Sequence, residues 1–473
     1  MFPGRRGVEV ACRAGPYDYG DALQKSILFF EVQRSGYLDK NRVPYRSHSA
    51  MGDKGRAGED LTGGWYDAGD HMKFALPMAS STTNLAWGML MYKEAYEHLQ
   101  IWDEALIQLK WPLDYFIKCH VTREEFYFQV GDGDLDHAYW GRPEQMDMAR
   151  PSYKVDKDTP GSDVAGETAA AMAAGSAIFQ ESDPEYASTL LQHAKELFEF
   201  GMTYRGTYPN MGFYGSSNYG DELALAACFL YIATSDSVYL NEAEKLYKEF
   251  NLHELAWSYS WDEKKPAVQL LLTGLTGNSG YDYQTDFTSF LNEWLPGGSI
   301  PYTPKGLVYR DQWGPLRYSA NAAMLGLIAA DYGIRQSAYR DFAYSQINYM
   351  LGDTGRSYVV GFGNSPPQRP HHRSSSCPDY PAKCDWAQYS SPSPNPQTAF
   401  GALIGGPDIN DNFVDDRTDF RSNEVACDYN AGFQSALAGK VRFFWTSKVN
   451  FHILIKESHT EQTPHVVIVV VFI

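Results

Sequence analysis

The segment GGWYDAGDHMKF, residues 63–74, places two aspartates three positions apart, Asp67 and Asp70, inside a glycine-rich and aromatic stretch. An aspartate in such a turn can serve only its own backbone, capping the loop through its side chain. Two carboxylates held close together also raise each other's cost of ionisation, and folds keep such pairs where they have chemistry to do. A pair of this kind can hold one water, one group taking its proton while the other orients it. That is general-base chemistry.

A base needs a proton donor. The candidate lies far along the chain in DDRTDFRSNEVACDYNAGF, residues 415–433, where Glu424 is expected to open a helix capped by Asn423. A first-turn glutamate that only complements the helix dipole is the competing reading. That position also favours ionisation, so a donor there needs desolvation or nearby anions to raise its pKa. Asp415, Asp416, Asp419 and Asp428 supply anions, and Phe420, Tyr429 and Phe433 supply apolar cover. Arg417 and Arg421 pull the other way. Spacing alone leaves the assignment open.

The elements that must position these groups are helical. Apolar residues recur with helical period in about a dozen segments, beginning with Tyr19–Arg34, where Leu23, Ile27 and Phe30 share a stripe. Others are expected at 80–99, 102–118, 165–179, 184–200, 221–234, 237–250, 266–273, 283–291, 317–332, 337–351, 398–403 and 423–437. Ser182-Asp183-Pro184-Glu185 has the chemistry of a helix start. Few segments alternate with strand period. Long loops rich in Gly, aromatics and acids lie between alternate helices, at 50–78, 126–163, 203–220, 293–316, 352–396 and 405–422; loops of that length in a compact domain are usually functional. Short connections on one side and long loops on the other suggest a toroid of paired helices, its loops meeting at one end. No clean linker interrupts the pattern, and one domain is expected over residues 17–440.

Composition narrows the partner. The chain has 473 residues and a formal net charge of -18, which argues against nucleic acid because phosphate contacts need clustered Lys and Arg. It holds 33 Tyr, 25 Phe and 11 Trp. These furnish a large core, or a groove that stacks sugar rings, and composition does not choose between the two. No CxxC pair exists, so a zinc ribbon is not expected. Cys377 and Cys384 bracket CPDYPAKC and can close it in an oxidising compartment; Cys119, Cys228 and Cys427 read as buried thiols. The first 16 residues lack an apolar run of signal-peptide length. The run VVIVVVFI at 466–473 is too short to span a bilayer, and no membrane partner is expected. Residues 441–473 show no helical stripe and read as a disordered or misassigned tail.

Together, GGWYDAGDHMKF, RPHHR at 369–373 and NEVACDYNAGF resemble the three signatures of glycoside hydrolase family 9 endoglucanases, over 400 residues and in the family's order. The resemblance implies an all-α (α/α)6 barrel with an open cleft, and an endo-β-1,4-glucanase acting on cellulose and related β-glucans with inversion. It assigns Asp70 as general base, Asp67 as the group holding the water, and Glu424 as general acid. Inversion requires roughly 6.5–9.5 Å between base and acid, so that water fits beside the sugar. By the same route His371 and Arg373 are substrate contacts, with His137, Trp140, Trp257, Trp313, Arg317, Tyr318 and Tyr429 as further cleft positions. His372 is read as a packed or solvent-facing ring. Phe213 and Ser216 stand where some members carry other cleft aromatics, which weakens one outer subsite. Ser217, Asn218, Asp221, Glu222 and Asp262 resemble a structural calcium (Ca2+) site of the family; two acids at a helix N-terminus is the alternative. The resemblance further implies a secreted monomer. The competing functions are a catalytically weak β-glucan-binding homologue and a hydrolase preferring mixed-linkage glucan. Cyclase or mannosidase chemistry on the same toroid is disfavoured by RPHHR and DYNAGF.

Overall fold

The computed structural model describes residues 15–277 and 281–457, with side chains through Phe443. The atypical residues 1–14 and the apolar run at 466–473 lie outside the described residues. Twelve helices make the frame: α1 Tyr19–Val32, α2 Ala75–His98, α3 Trp102–Cys119, α4 Ser162–Phe179, α5 Pro184–Thr203, α6 Gly220–Thr234, α7 Ser237–Glu249, α8 Lys265–Thr276, α9 Tyr283–Trp294, α10 Pro315–Asp331, α11 Gln336–Asn348 and α12 Cys427–Glu457. Helices α2, α4, α6, α8, α10 and α12 pack side by side, and α12 returns to α2, closing a ring. The alternate helices lie outside. This is an (α/α)6 barrel.

Burial follows from the sequences. Almost every residue of α4, SDVAGETAAAMAAGSAIF, is buried, as is most of α6 and α10. A helix that is apolar or small all round must be enclosed on every side. The outer α5, α7 and α9 bury only one stripe each. Small residues let the inner helices approach closely: a Cβ on Gly88 of α2 would come within 2.1 Å of Ser435 Oγ on α12. Asp183 caps α5 through the amide of Tyr186, as SDPE leads one to expect.

Two helical expectations fail. Residues 398–403 form a turn and an isolated bridge, Val359 with Leu403. Glu424 does not open a helix: its backbone is extended (φ -64°, ψ 148°) and α12 begins three residues later. The sequence reading also passes over a small antiparallel sheet of β1 Lys73–Phe74, β2 His120–Thr122, β3 Glu125–Val130 and β4 Ser152–Val155. Strand β3 is central. It pairs with β4 along one edge and with β1 and β2 along the other, in the register Lys73↔Val130 and Phe126↔Val155. Strands β1, β2 and β4, of two to four residues, are too short to show a period, and β3, of six, is buried on both faces and so does not alternate. The backbone of α12 runs to Glu457, past residue 440, so that boundary is not a break in secondary structure.

The disulfide Cys377–Cys384 is formed, and Cys119, Cys228 and Cys427 are free and buried. Among the described residues no helix is long and apolar enough to cross a membrane.

Candidate active site

The three motifs, the first of them hundreds of residues from the other two in the chain, are joined by backbone hydrogen bonds. The amide of Cys427 donates to Asp67 C=O (2.9 Å), that of Arg373 to Gly69 C=O (3.0 Å), and that of His371 to Asn423 C=O (2.8 Å). His371 and Glu424 are partners in a parallel bridge. A Cβ at position 69 would stand 2.1 Å from His371 O, so only glycine admits this approach. Below the Asp67–Asp70 loop, buried Lys73 and Arg150 both pair with Asp53 at 2.7 Å, and Arg150 also donates to His71 C=O. Pairing of β1 with β3 then sets the end of β3, and the helical turn Gly133–His137 that follows it, beside Asp70.

Asp67, Asp70 and Glu424 line one cleft of about 640 Å3. Its walls are aromatic: Phe74, Trp140, Phe213, Tyr214, Trp261, Trp313, Trp386, Tyr389, Phe420 and Tyr429. Asp70 Oδ2 faces His137 Nε2 at 3.4 Å, and Asp70 Oδ1 is buried with no hydrogen-bond partner in the protein. Asp67 Oδ2 accepts the hydroxyl of Tyr214. Arg373 Nη1 donates to Asp136 Oδ2, and Arg317 Nη1 to Asp428 Oδ2 (2.8 Å).

These surroundings drive the carboxyls apart. Burial raises the pKa of Glu424, and the negative charge of Asp70 raises it further, to about 8. Burial would raise Asp70 too, but hydrogen bonding from His137 and the charge of Arg373 outweigh it and hold Asp70 below the ordinary range. Asp67 is pushed well up, by burial first and then by Asp70 and Asp428. Near neutral pH the cleft therefore presents an ionised Asp70 opposite a protonated Glu424, the division of labour a general base and a general acid require. Burial lowers His371 to about 4, so its ring is neutral.

The glycosyl hydrolase family 9 profile matches residues 19–437. The chain belongs to glycosyl hydrolase family 9. It is therefore a glycoside hydrolase. It is 46% identical over 449 residues to Endoglucanase A of Bacillus pumilus, an alignment covering 90% of this chain and 67% of that one. It is similar to the endoglucanase of the termite Nasutitermes takasagoensis, with TM-score 0.88 and 52% identity over 91% of this chain and 100% of the other. It is also similar to the cellulase Cel9M of C. cellulolyticum in complex with cellobiose, with TM-score 0.86 and 37% identity over 91% and 100%.

For this glycoside hydrolase the sequence-expected residues fall into three groups. Asp67, Asp70, Glu424, His137, Trp140, Trp313, Arg317, His371, Arg373 and Tyr429 line the cleft. Trp257 and Tyr318 do not; Tyr318 accepts from Arg317 Nη2 at 2.9 Å, and Trp257 packs edge-on against Tyr318. His372 is buried and bonded to Gln33, a packed ring. Phe213 is itself a cleft aromatic, edge-on to His137 at 5.2 Å. Of the acids expected to surround Glu424, only Asp428 does so: Asp415 accepts the amides of Gln368 and Arg369, and Asp416 and Asp419 cap their own turns.

Sequence reasoning missed Tyr214, Trp261, Trp386, Tyr389 and Asp136. Asp136 had a signal, since it adjoins His137 in GDGDLDH. The aromatics had none, because their partners are remote in sequence.

The third group stands apart from the cleft. Asp262 Oδ1 accepts the amide of Ser217 (2.8 Å), and Asn218 Oδ1 accepts those of Tyr219 and Gly220. Asp221 Oδ2 accepts the Lys264 amide, while Asp221 Oδ1 and both Glu222 oxygens are buried with no donor. Burial raises both carboxyls. Oxygens of this kind suit a hard cation, although the buried Lys264 ammonium beside Glu167 supplies part of the compensating charge.

Proposed function

We propose that this glycoside hydrolase is an endo-β-1,4-glucanase that cleaves cellulose and related β-glucans with inversion. Asp70 is the general base, Asp67 holds the water, and Glu424 is the general acid. The observation that carries the reading is the convergence of Asp67, Asp70 and Glu424 on one aromatic cleft, where His137 and Arg373 favour the charged form of Asp70 and burial disfavours that of Glu424. The sequence relatives and structural neighbours above, named as endoglucanases and a cellulase, support the substrate class.

The steps follow from the side chains. Aromatic faces hold the apolar faces of the glucose rings, while Arg317, His371 and Arg373 offer polar contacts to hydroxyls. Water seated on Asp70 Oδ1 and Asp67 attacks the anomeric carbon and gives its proton to Asp70. Glu424 passes its proton to the departing glycosidic oxygen. Each turnover leaves Asp70 protonated and Glu424 ionised, and exchange with solvent resets both.

Calcium belongs to the same proposal. Asp221, Glu222 and Asp262, with Ser217 and Asn218, would hold it, and it would neutralise buried carboxylates and fasten the loop that carries Phe213 and Tyr214.

The test is reducing-sugar release from soluble cellulose. Asp70→Asn and Glu424→Gln are each expected to lower it by about two orders of magnitude or more, with cellohexaose binding retained. Fresh product should appear as the α-anomer by NMR. Near-normal turnover in either variant, or the β-anomer at early times, overturns the assignment.

A further inference from the structure

Arg417 is 1% exposed, and its guanidinium pairs with no carboxylate among the described ion pairs. Its donors go to neutral oxygens: Nε to Asn395 Oδ1 (2.7 Å), Nη1 to Gln388 C=O and to Ser391 C=O (3.0 Å), and Nη2 to Ser393 C=O (2.9 Å). Asp415 and Asp416 act on this cation only at a distance; a buried cation with no carboxylate in contact is tolerated when its donors are met, and here one planar fork gathers four acceptors from eight residues of loop.

That loop follows directly from the helical turn Trp386–Tyr389. Trp386 and Tyr389 line the cleft, Tyr389 lying 4.9 Å from Trp140 and 6.2 Å from His371 between ring centres. On its other side, the Arg417 carbonyl receives the ring Nδ1 of His371 at 2.7 Å. A carbonyl can only accept, so Nδ1 carries the proton and Nε2 of the neutral ring is left as an acceptor.

We infer that Arg417 is a positioning residue for substrate: its guanidinium sets the Trp386–Tyr389 wall, and its carbonyl sets His371 with Nε2 ready to accept from a sugar hydroxyl. The inference rests on the glucanase reading. Arg417 does not itself line the cleft, so its effect would reach the sugar through those two intermediaries.

The experiment compares the full chain with Arg417→Lys, which keeps the charge but not the fork, and with Asn395→Ala, which removes one acceptor of the fork together with the Asn395 amide's own bonds to Pro370 C=O and Ser375 Oγ. With cellohexaose, Arg417→Lys is expected to raise KM about tenfold while kcat stays within about threefold. Binding in a Glu424→Gln background should weaken to match, and Asn395→Ala should move KM the same way by less. Nitrogen-15 NMR of labelled histidine should show His371 as the Nδ1–H tautomer in the wild type and as an averaged pair of tautomers in Arg417→Lys. Loss of kcat or melting temperature with KM and the tautomer unchanged marks a merely structural arginine and overturns the inference. If Arg417→Lys does not fold, Asn395→Ala decides by the same readouts. A wild type that neither binds nor cleaves cellohexaose overturns the glucanase reading; a working wild type matched in KM by both variants overturns the role of Arg417 alone.

Discussion

Tyr214 donates its hydroxyl proton to Asp67 across 147 residues of chain, and its ring meets Trp261 edge-on at 4.8 Å. The loop from the α5–α6 connection is thus fixed to the Asp67 carboxyl, the proposed holder of the water. The partly buried phenol stays protonated, its pKa raised by desolvation and then by Asp67. It can therefore serve as a constant donor. Tyr214→Phe is expected to lower kcat on soluble cellulose about tenfold with KM nearly unchanged. Unchanged kcat would mean that Asp67 is aligned without it.

The opposed carboxyls predict the pH profile. In the proposed mechanism Glu424 must be protonated and Asp70 ionised, so activity is expected to fall as pH rises through about 8. Asp70 must be ionised, so the acid limb lies below the ordinary aspartate value of 3.8. The kcat/KM profile of the free enzyme measures both limbs.

Stability carries the same signature. Glu424 binds its proton more tightly folded than unfolded, so its contribution is fully present below the unfolded value of 4.5 and is lost as pH rises to about 8. Glu424→Gln removes this dependence. Melted side by side, variant and wild type should differ little at pH 4.5, and the variant should melt higher at pH 8. Equal melting temperatures at both values would show that Glu424 is not held protonated by the fold.

Calcium should raise the melting temperature of the chelator-stripped chain, and Asp262→Ala should abolish that gain while leaving kcat within about twofold, since the ion has no part in bond cleavage. A melting curve indifferent to calcium would leave Asp221 and Glu222 as a buried acid pair balanced by Lys264.

Much of this was legible in the sequence, for identifiable reasons. Helical period marked the barrel because an inner helix such as α4 has little choice but to be enclosed. The paired aspartates stood out because they lie three positions apart in one glycine-rich turn, whereas Glu424 entered only through the resemblance of its segment to a family signature, spacing alone having left it open. Glu424 itself was misplaced onto a helix: Asn423 looked like a cap, but the amide of His371 takes its carbonyl and draws the next residue into an extended bridge. Tyr214 and Trp386 escaped notice because they meet Asp67 and Trp140 only through the closed ring. The raised pKa of Glu424 was open to the same difficulty. Its principal charged neighbour is Asp70, 354 residues earlier by subtraction of their numbers, and not the acids beside it in sequence.

The junction of α12 with α2 also sets an order of events during synthesis. On the proposed roles, a ribosome that has made the first nine-tenths of the domain has delivered Asp70 but not Glu424, and such a nascent chain would be inert toward glucan until its last inner helix docks. The same logic makes the protein a natural candidate for division: two separately expressed fragments, cut in one of the exposed connections, would each be silent and would regain hydrolysis only on reassembly.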